Sequence, residues 1–130
     1  MNVLSSASGR QFFVLPIDST RGFPQAFPFL FGGQTYNFRL YANIPAERLD
    51  DRVAFIELPT AEAFLVVQVE REIAEGARET IFLRKVVPQL EYEAENIMLI
   101  FPQQRIARNN LNGQGDFGSQ VIGGIAPRWA

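Results

Sequence analysis

The clearest structural signal in the sequence lies at residues 27–41, which read FPFLFGGQTYNFRLY. A short apolar segment comes first and Gly32-Gly33 follows it. Two consecutive glycines can both adopt the positive φ that a tight hairpin turn requires. After the glycines, Tyr36, Phe38 and Leu40 alternate with polar residues, which is the period of a strand with one buried face. The segment therefore predicts an antiparallel hairpin whose even-numbered side chains face a core.

The rest of the chain also alternates turn-forming residues with short apolar segments. Proline and glycine recur at short intervals, and the segments between them are rich in β-branched and aromatic residues, a pattern typical of many short strands. Residues 64–72 are compatible with a helix capped by Thr60 or with a strand, and the β-branched Val66, Val67 and Val69 favour the strand. We therefore predict an all-β fold, either a small antiparallel β-barrel or a sandwich.

Two further elements are predicted on either side of this segment. Residues 91–101 alternate at first and end in an uninterrupted apolar run from Ile97, which predicts one strand that enters a buried layer. A short helical turn is predicted over residues 46–50, because Pro45 precedes it and proline favours the start of a helix.

The two ends of the chain differ from its middle. Residues 1–10 are small and polar, and residues 103–130 are rich in Asn, Gln, Gly and Arg. We therefore predict a β core domain over residues 11–102 with an extended N-terminal and an extended C-terminal arm. Gly123-Gly124 separates apolar residues in the second arm, which predicts a late edge strand that can add to the sheet of a neighbouring subunit.

The amino-acid inventory restricts the possible chemistry. With neither histidine nor cysteine, the chain cannot build a Ser-His-Asp triad, a Cys-His pair or the usual zinc sites. We predict no enzyme activity, no catalytic residue and no cofactor. Glu91, Glu93 and Glu95 would share one face of a strand and suit a calcium ion, but we favour a solvated or arginine-paired face and predict no metal. Residues 113–118, GQGDFG, match a dinucleotide fingerprint only in spacing.

The charges favour protein partners. The net charge is −2, and eleven of the twelve basic residues are arginine, the cation best suited to protein interfaces. Mixed signs argue against nucleic acid, and no apolar run is long enough for a membrane span. The interface candidates are aromatic residues and arginines of the C-terminal arm. They are Phe27, Phe29, Phe31, Arg105, Arg108, Phe117, Arg128 and Trp129. The phenylalanines at positions 23, 27, 29 and 31 could alternatively line a ligand pocket.

Residues 27–41 also resemble the opening hairpin of a small uncharacterised β-rich family encoded among tail and baseplate genes of tailed, contractile-tail bacteriophages. The shared pattern is an apolar strand, a turn of GGQ and an aromatic residue, and an alternating F-R-L strand. Residues 116–125 resemble the glycine-containing segment and short strand that end family members, whereas residues 63–87 depart in their dense charge alternation.

The resemblance implies a structural component of the virion, made in the host cytoplasm. Such a protein would act as an adaptor, plug or ring subunit of a tail or baseplate. Its partners would be other tail or baseplate proteins and its own copies in threefold or sixfold rings. The alternative function is that of a ligand- or carbohydrate-binding β-module.

Overall fold

The computed structural model describes residues 3–18, 22–44, 55–60, 62–107 and 120–129. Within these residues the fold is all-β and contains no helix, so the predicted fold class is confirmed. The predicted helical turn at residues 46–50 and the GQGDFG segment at residues 113–118 lie outside the described residues.

The described residues form ten strands in two antiparallel sheets. The strands are β1 (Val3–Ser5), β2 (Gln11–Val14), β3 (Gln25–Phe31), β4 (Gln34–Asn43), β5 (Phe55–Glu57), β6 (Phe64–Ala74), β7 (Ala77–Val86), β8 (Glu91–Ala94), β9 (Ile97–Ala107) and β10 (Gln120–Pro127). The four-stranded sheet has the order β3-β4-β6-β7, and the six-stranded sheet has the order β1-β2-β10-β9-β5. Strand β8 pairs with the first four residues of β9, and β5 pairs with its last three residues.

The predicted hairpin is present as β3 and β4. Gly32 and Gly33 form its turn with φ of 59° and 79°. Tyr36, Phe38 and Leu40 are at most 5% exposed and face the core. Residues 64–72 belong to strand β6, which confirms the strand and excludes the helical alternative.

One hydrophobic core lies between the two sheets. The four-stranded sheet contributes fully buried Phe38, Leu65 and Val67, and the six-stranded sheet contributes Leu99 and Ile125. Because the inner faces of two antiparallel sheets pack together through these side chains, the architecture is that of a small β-sandwich.

The prediction of a single strand over residues 91–101 was wrong. The chain turns at Glu95 and Asn96, and the turn divides the segment into the antiparallel pair β8 and β9. Glu95 has a φ of 53°, a conformation that non-glycine residues seldom adopt. The sequence has no glycine or proline at this turn, so the residues that usually indicate a turn are missing.

The apolar run of β9 is buried on both faces, as the uninterrupted pattern predicted. Leu99 faces the main core, whereas Met98 and Ile100 face outward and are 7% exposed. The hairpin of β1 and β2 covers them with Leu4 and the fully buried Phe12, so a second, smaller core lies on the outside of the six-stranded sheet.

The late strand was predicted at a sheet edge, and this position was wrong. Strand β10 lies inside the six-stranded sheet, paired with β2 on one side and β9 on the other. A Cβ atom on Gly123 would lie 2.7 Å from ring carbons of Phe101, and one on Gly124 would lie 2.7 Å from Cβ of Phe12. The two glycines therefore allow close packing on both faces of the sheet and do not act as a linker.

A β-bulge changes the side-chain alternation of β9. The register shifts between Ile122 and Gly124 on β10, so Phe101 and Pro102 together lie opposite Gly123. Bulges are among the few places where a sheet accepts proline. After the extra residue the even-numbered side chains point inward, and Gln104 and Ile106 are buried.

Candidate functional site

Three segments meet at one end of the six-stranded sheet. They are the turn before β2, the turn between β8 and β9, and the residues that follow β10. Nη1 of Arg10 donates to the carbonyl oxygens of Pro127 at 3.0 Å and Arg128 at 3.3 Å. The backbone N–H of Arg128 donates to the carbonyl oxygen of Asn96 at 2.9 Å. These bonds fix the chain at the point where Trp129 leaves the sheet.

Two arginine–glutamate pairs surround this junction. Nη2 of Arg128 lies 2.9 Å from Oε2 of Glu93, and Nη1 of Arg128 donates to the carbonyl oxygen of Glu95 at 3.2 Å. Nε of Arg10 lies 3.3 Å from Oε1 of Glu91. The register of β8 on β9 places the two carboxylates on the outer face, level with Met98 and Ile100.

Glu91 is the best-connected carboxylate of the junction. The hydroxyl group of Ser8 donates a 2.6 Å hydrogen bond to Oε2 of Glu91. This bond is the main cause that lowers the pKa of Glu91 below its ordinary value of 4.5; partial burial opposes it, and Ser6 and Arg10 add to the lowering. The carboxylate therefore stays ionised under mildly acidic conditions and serves as an anchor for the turn before β2.

Trp129 is the most exposed aromatic side chain that the structure describes, with 69% of its surface accessible. It is also the only tryptophan of the chain. The guanidinium carbon of Arg128 lies 4.9 Å from the ring centroid, within the range of a cation–π contact. Beside the ring is an open depression of about 580 Å³ lined by Ser8, Gly9 and Arg10 in addition to Arg128 and Trp129.

We call the group formed by Arg10, Glu91, Glu93, Arg128 and Trp129 the Trp129 cluster. Its chemistry suits recognition: it offers a flat aromatic surface, two guanidinium groups and two carboxylates in fixed positions. Tryptophan and arginine are the residue types that most often carry the binding energy of protein interfaces.

Of the predicted interface residues, the Trp129 cluster contains two, Arg128 and Trp129. Arg105 lies on β9, with Nε 3.0 Å from Oε1 of Glu57 on β5, away from the cluster. Arg108 and Phe117 lie outside the described residues.

The three predicted phenylalanines form a separate row on β3. Phe27, Phe29 and Phe31 are half-buried and pack against the main core. The ring of Phe27 stacks on Phe38 at 5.2 Å, and the ring of Phe31 meets Phe13 of the other sheet edge-on at 5.8 Å. Their principal contribution is therefore to close the edge of the sandwich.

The proposed carboxylate triplet is not assembled. Glu91 and Glu93 pair with arginines, as the arginine-paired interpretation of this face predicted. Glu95 lies in the turn after β8. Among the described residues no group of three or more acidic side chains is arranged to hold a metal ion. Arg10 and Ser8 were not anticipated as site residues, because only the tertiary pairing brings the turn before β2 next to β8.

Comparison with protein-family models, with curated proteins and with solved structures finds no match for this chain. In the part of the chain that the structure describes, no helix has the length and apolar character needed to cross a membrane.

Proposed function

We propose that the protein is a structural, non-enzymatic subunit of a larger protein assembly, and that it joins this assembly through the Trp129 cluster. The observation that carries the proposal is an exposed tryptophan held in place by an arginine that is itself bound at both its backbone and its side chain. The resemblance of residues 27–41 to a tail and baseplate family directs the proposal to a bacteriophage tail or baseplate.

The energetics favour a docking role for Trp129. Complete burial of a tryptophan side chain removes on the order of 150–250 Å² from water, worth about 4–6 kcal/mol at about 25 cal/mol per Å². Trp129 retains 69% of its exposure, so most of this free energy is available to a partner. Because Arg128 already restrains the ring, less side-chain entropy is lost on binding.

Replacement of Trp129 by alanine tests this function. The protein is produced together with the genes that flank its own, particles are isolated by sedimentation, and the chain is detected with an antibody. We expect wild-type protein in the particles and at least a tenfold loss of incorporation for Trp129→Ala, with an unchanged circular dichroism spectrum.

Leu30→Ala is the matched control, because Leu30 is 70% exposed but lies on β3, outside the cluster. It should enter particles as the wild type does. Particles that lack the wild-type chain, or that take up Trp129→Ala unchanged, would contradict the proposed function.

The depression beside Trp129 also favours a second candidate, a carbohydrate-binding module. A sugar ring could stack on the indole while Ser8 and Arg10 bond its hydroxyl groups. Titration of the wild-type protein with a panel of neutral and acidic oligosaccharides, followed by Trp129 fluorescence, tests it. A saturable emission change that Trp129→Phe weakens would support this candidate, and a flat response to the whole panel would reject it.

A further inference from the structure

We propose that a second copy of this chain is one partner of the Trp129 cluster. Trp129 of one copy inserts into an apolar pocket at the opposite end of the next copy, so that copies join head to tail. This inference rests on the proposed function and specifies one of its contacts.

The receiving pocket lies on the outer face of the four-stranded sheet, where β3 begins and β4 ends. It has a volume of about 310 Å³ and is lined by Pro24, Gln25, Ala26, Arg39 and Tyr41; we call it the Tyr41 pocket. The register pairs Ala26 with Arg39, on the face opposite the buried Leu40.

The walls of the Tyr41 pocket are mainly apolar. Gln25 contributes no free polar group, because its side-chain oxygen accepts from the N–H of Asp18 and its Nε2 donates to the carbonyl oxygens of Asp18 and Gly22. A pocket of this size lies at the lower end of the range that holds small ligands, about 300–1,000 Å³. One indole ring is therefore a suitable occupant.

The charges of the two surfaces are complementary. Arg39 is exposed at the rim of the Tyr41 pocket, and among the described residues no carboxylate lies within ion-pair distance of it. The residues around Trp129 are three glutamates, Glu91, Glu93 and Glu95, and two arginines, Arg10 and Arg128, and Glu95 is held there through its backbone carbonyl. Their formal charges sum to −1. An indole inserted beside Arg39 would also gain a cation–π contact.

The positions of the two surfaces require separate copies. Pro127 and Ile97, next to Trp129, line a common depression with Gly32 and Gly33, so Trp129 lies at the end of the sandwich that carries the β3–β4 turn. The Tyr41 pocket lies at the other end of β3, about 20 Å away for seven residues at about 3.3 Å each. The contact is therefore heterologous, and repetition of it closes a ring or extends a filament.

Two complementary variants test the contact in the purified full-length chain. Trp129→Ala removes the inserted side chain, and Ala26→Arg fills the pocket from an exposed position on the edge strand. We expect wild-type protein to gain mass with concentration in sedimentation velocity, and each variant alone to remain monomeric. An equimolar mixture of the two should form a dimer, because each supplies the surface that the other lacks.

The mixture also has a specific optical signal. Since the chain contains one tryptophan, only the Ala26→Arg copies emit, and their emission should move to shorter wavelength when Trp129→Ala protein is added. Thr80→Arg, on the exposed part of β7, is the control and should assemble like the wild type. If Ala26→Arg does not fold by circular dichroism, Arg39→Glu takes its place.

The outcomes separate this inference from the proposed function. A wild-type chain whose mass and emission do not change with concentration overturns the inference, and so does a pocket variant that assembles normally. Either result leaves the particle-incorporation experiment to decide the proposed function. If Trp129→Ala is not incorporated into particles and the wild-type chain does not self-associate, the Trp129 cluster binds a different protein of the assembly.

Discussion

Gly123 and Gly124 show how two small residues determine the packing of a whole sheet. Both have ordinary backbone conformations, since neither is among the glycines with positive φ. Glycine is required at both positions because a Cβ atom would clash. Phe101 lies against Gly123 on the inner face, and Phe12 lies against Gly124 on the outer face. From the sequence the pair resembles a flexible separator, because both phenylalanines are distant along the chain.

The steric account predicts that Gly123→Ala and Gly124→Ala each lower the free energy of unfolding by about 1–3 kcal/mol. Phe101→Leu should recover part of the loss in Gly123→Ala, since ring carbons make that contact. Phe12→Leu should not rescue Gly124→Ala, because the contacting atom is Cβ. Urea denaturation of the single and double variants measures the coupling energy within each glycine–phenylalanine pair. If the effects of the single substitutions add to the same extent in both pairs, the steric explanation is wrong.

At the scale of elements, strand β3 is a seven-residue strand at the edge of its sheet, and within the described residues no strand pairs with its outer side. Such strands tend to pair with other chains, and proline is one of the residues by which proteins prevent this. Pro28 lies in the middle of β3, opposite Asn37 of β4. Because proline in a sheet turns the side without an N–H toward solvent, Pro28 leaves a gap in the open edge.

We therefore expect Pro28→Val to increase aggregation of the protein at least several-fold while it retains the native circular dichroism spectrum. Light scattering and thioflavin T fluorescence at matched concentrations measure the change. Asn37→Val is the control, because it adds a similar apolar side chain at a position of β4 that is paired with both β3 and β6. Equal aggregation of the two variants would assign the effect to hydrophobicity and not to the restored N–H.

The sequence predicts the individual strands better than it predicts which strands pair with each other. The β3–β4 hairpin and strand β6 follow from local alternation and turn chemistry. The interior position of β10 depends on pairing with β2, which is more than a hundred residues away in the chain. The Trp129 cluster also depends on long-range strand pairing. Arg128 and Trp129 are adjacent in sequence, but only the pairing of β10 with β2 brings Arg10, and Glu91 with it, to the same place.

At the scale of the whole molecule, the described residues form two hydrophobic cores of unequal size. The larger joins the two sheets, and the smaller holds the β1–β2 hairpin on the outside of the six-stranded sheet. Ser8 and Arg10 attach the turn of this hairpin to Glu91. A small core with few supporting contacts opens more easily than a large one, so the hairpin is the first region expected to open.

This attachment should depend on pH. The folded state lowers the pKa of Glu91, so its stabilising contribution is present above the ordinary value of 4.5 and is lost as the pH falls through the lower folded value. The difference in free energy of unfolding between wild type and Glu91→Gln should therefore shrink between about pH 7 and about pH 3. Urea unfolding at several pH values measures it.

Ser8→Ala provides the companion measurement, because it removes the main cause of the lowered pKa. It should reduce the pH dependence while the carboxylate remains. A difference between wild type and Glu91→Gln that is constant over the whole pH range would contradict the attachment.

The bulge at Phe101 and Pro102 has a consequence for future alignments of this chain. Inward positions are odd-numbered before it and even-numbered after it, so Arg105 points outward only because the bulge takes up one extra residue before it. A relative lacking one residue here would pair with β10 as a regular ladder and keep Ile106 in the core. A relative lacking two would turn Arg105 into the core and Ile106 toward water, unless the hydropathy of the following residues were inverted as well. A single-residue gap at this point in an alignment would therefore mark only the loss of the bulge, whereas a gap of two would mark a differently built sheet.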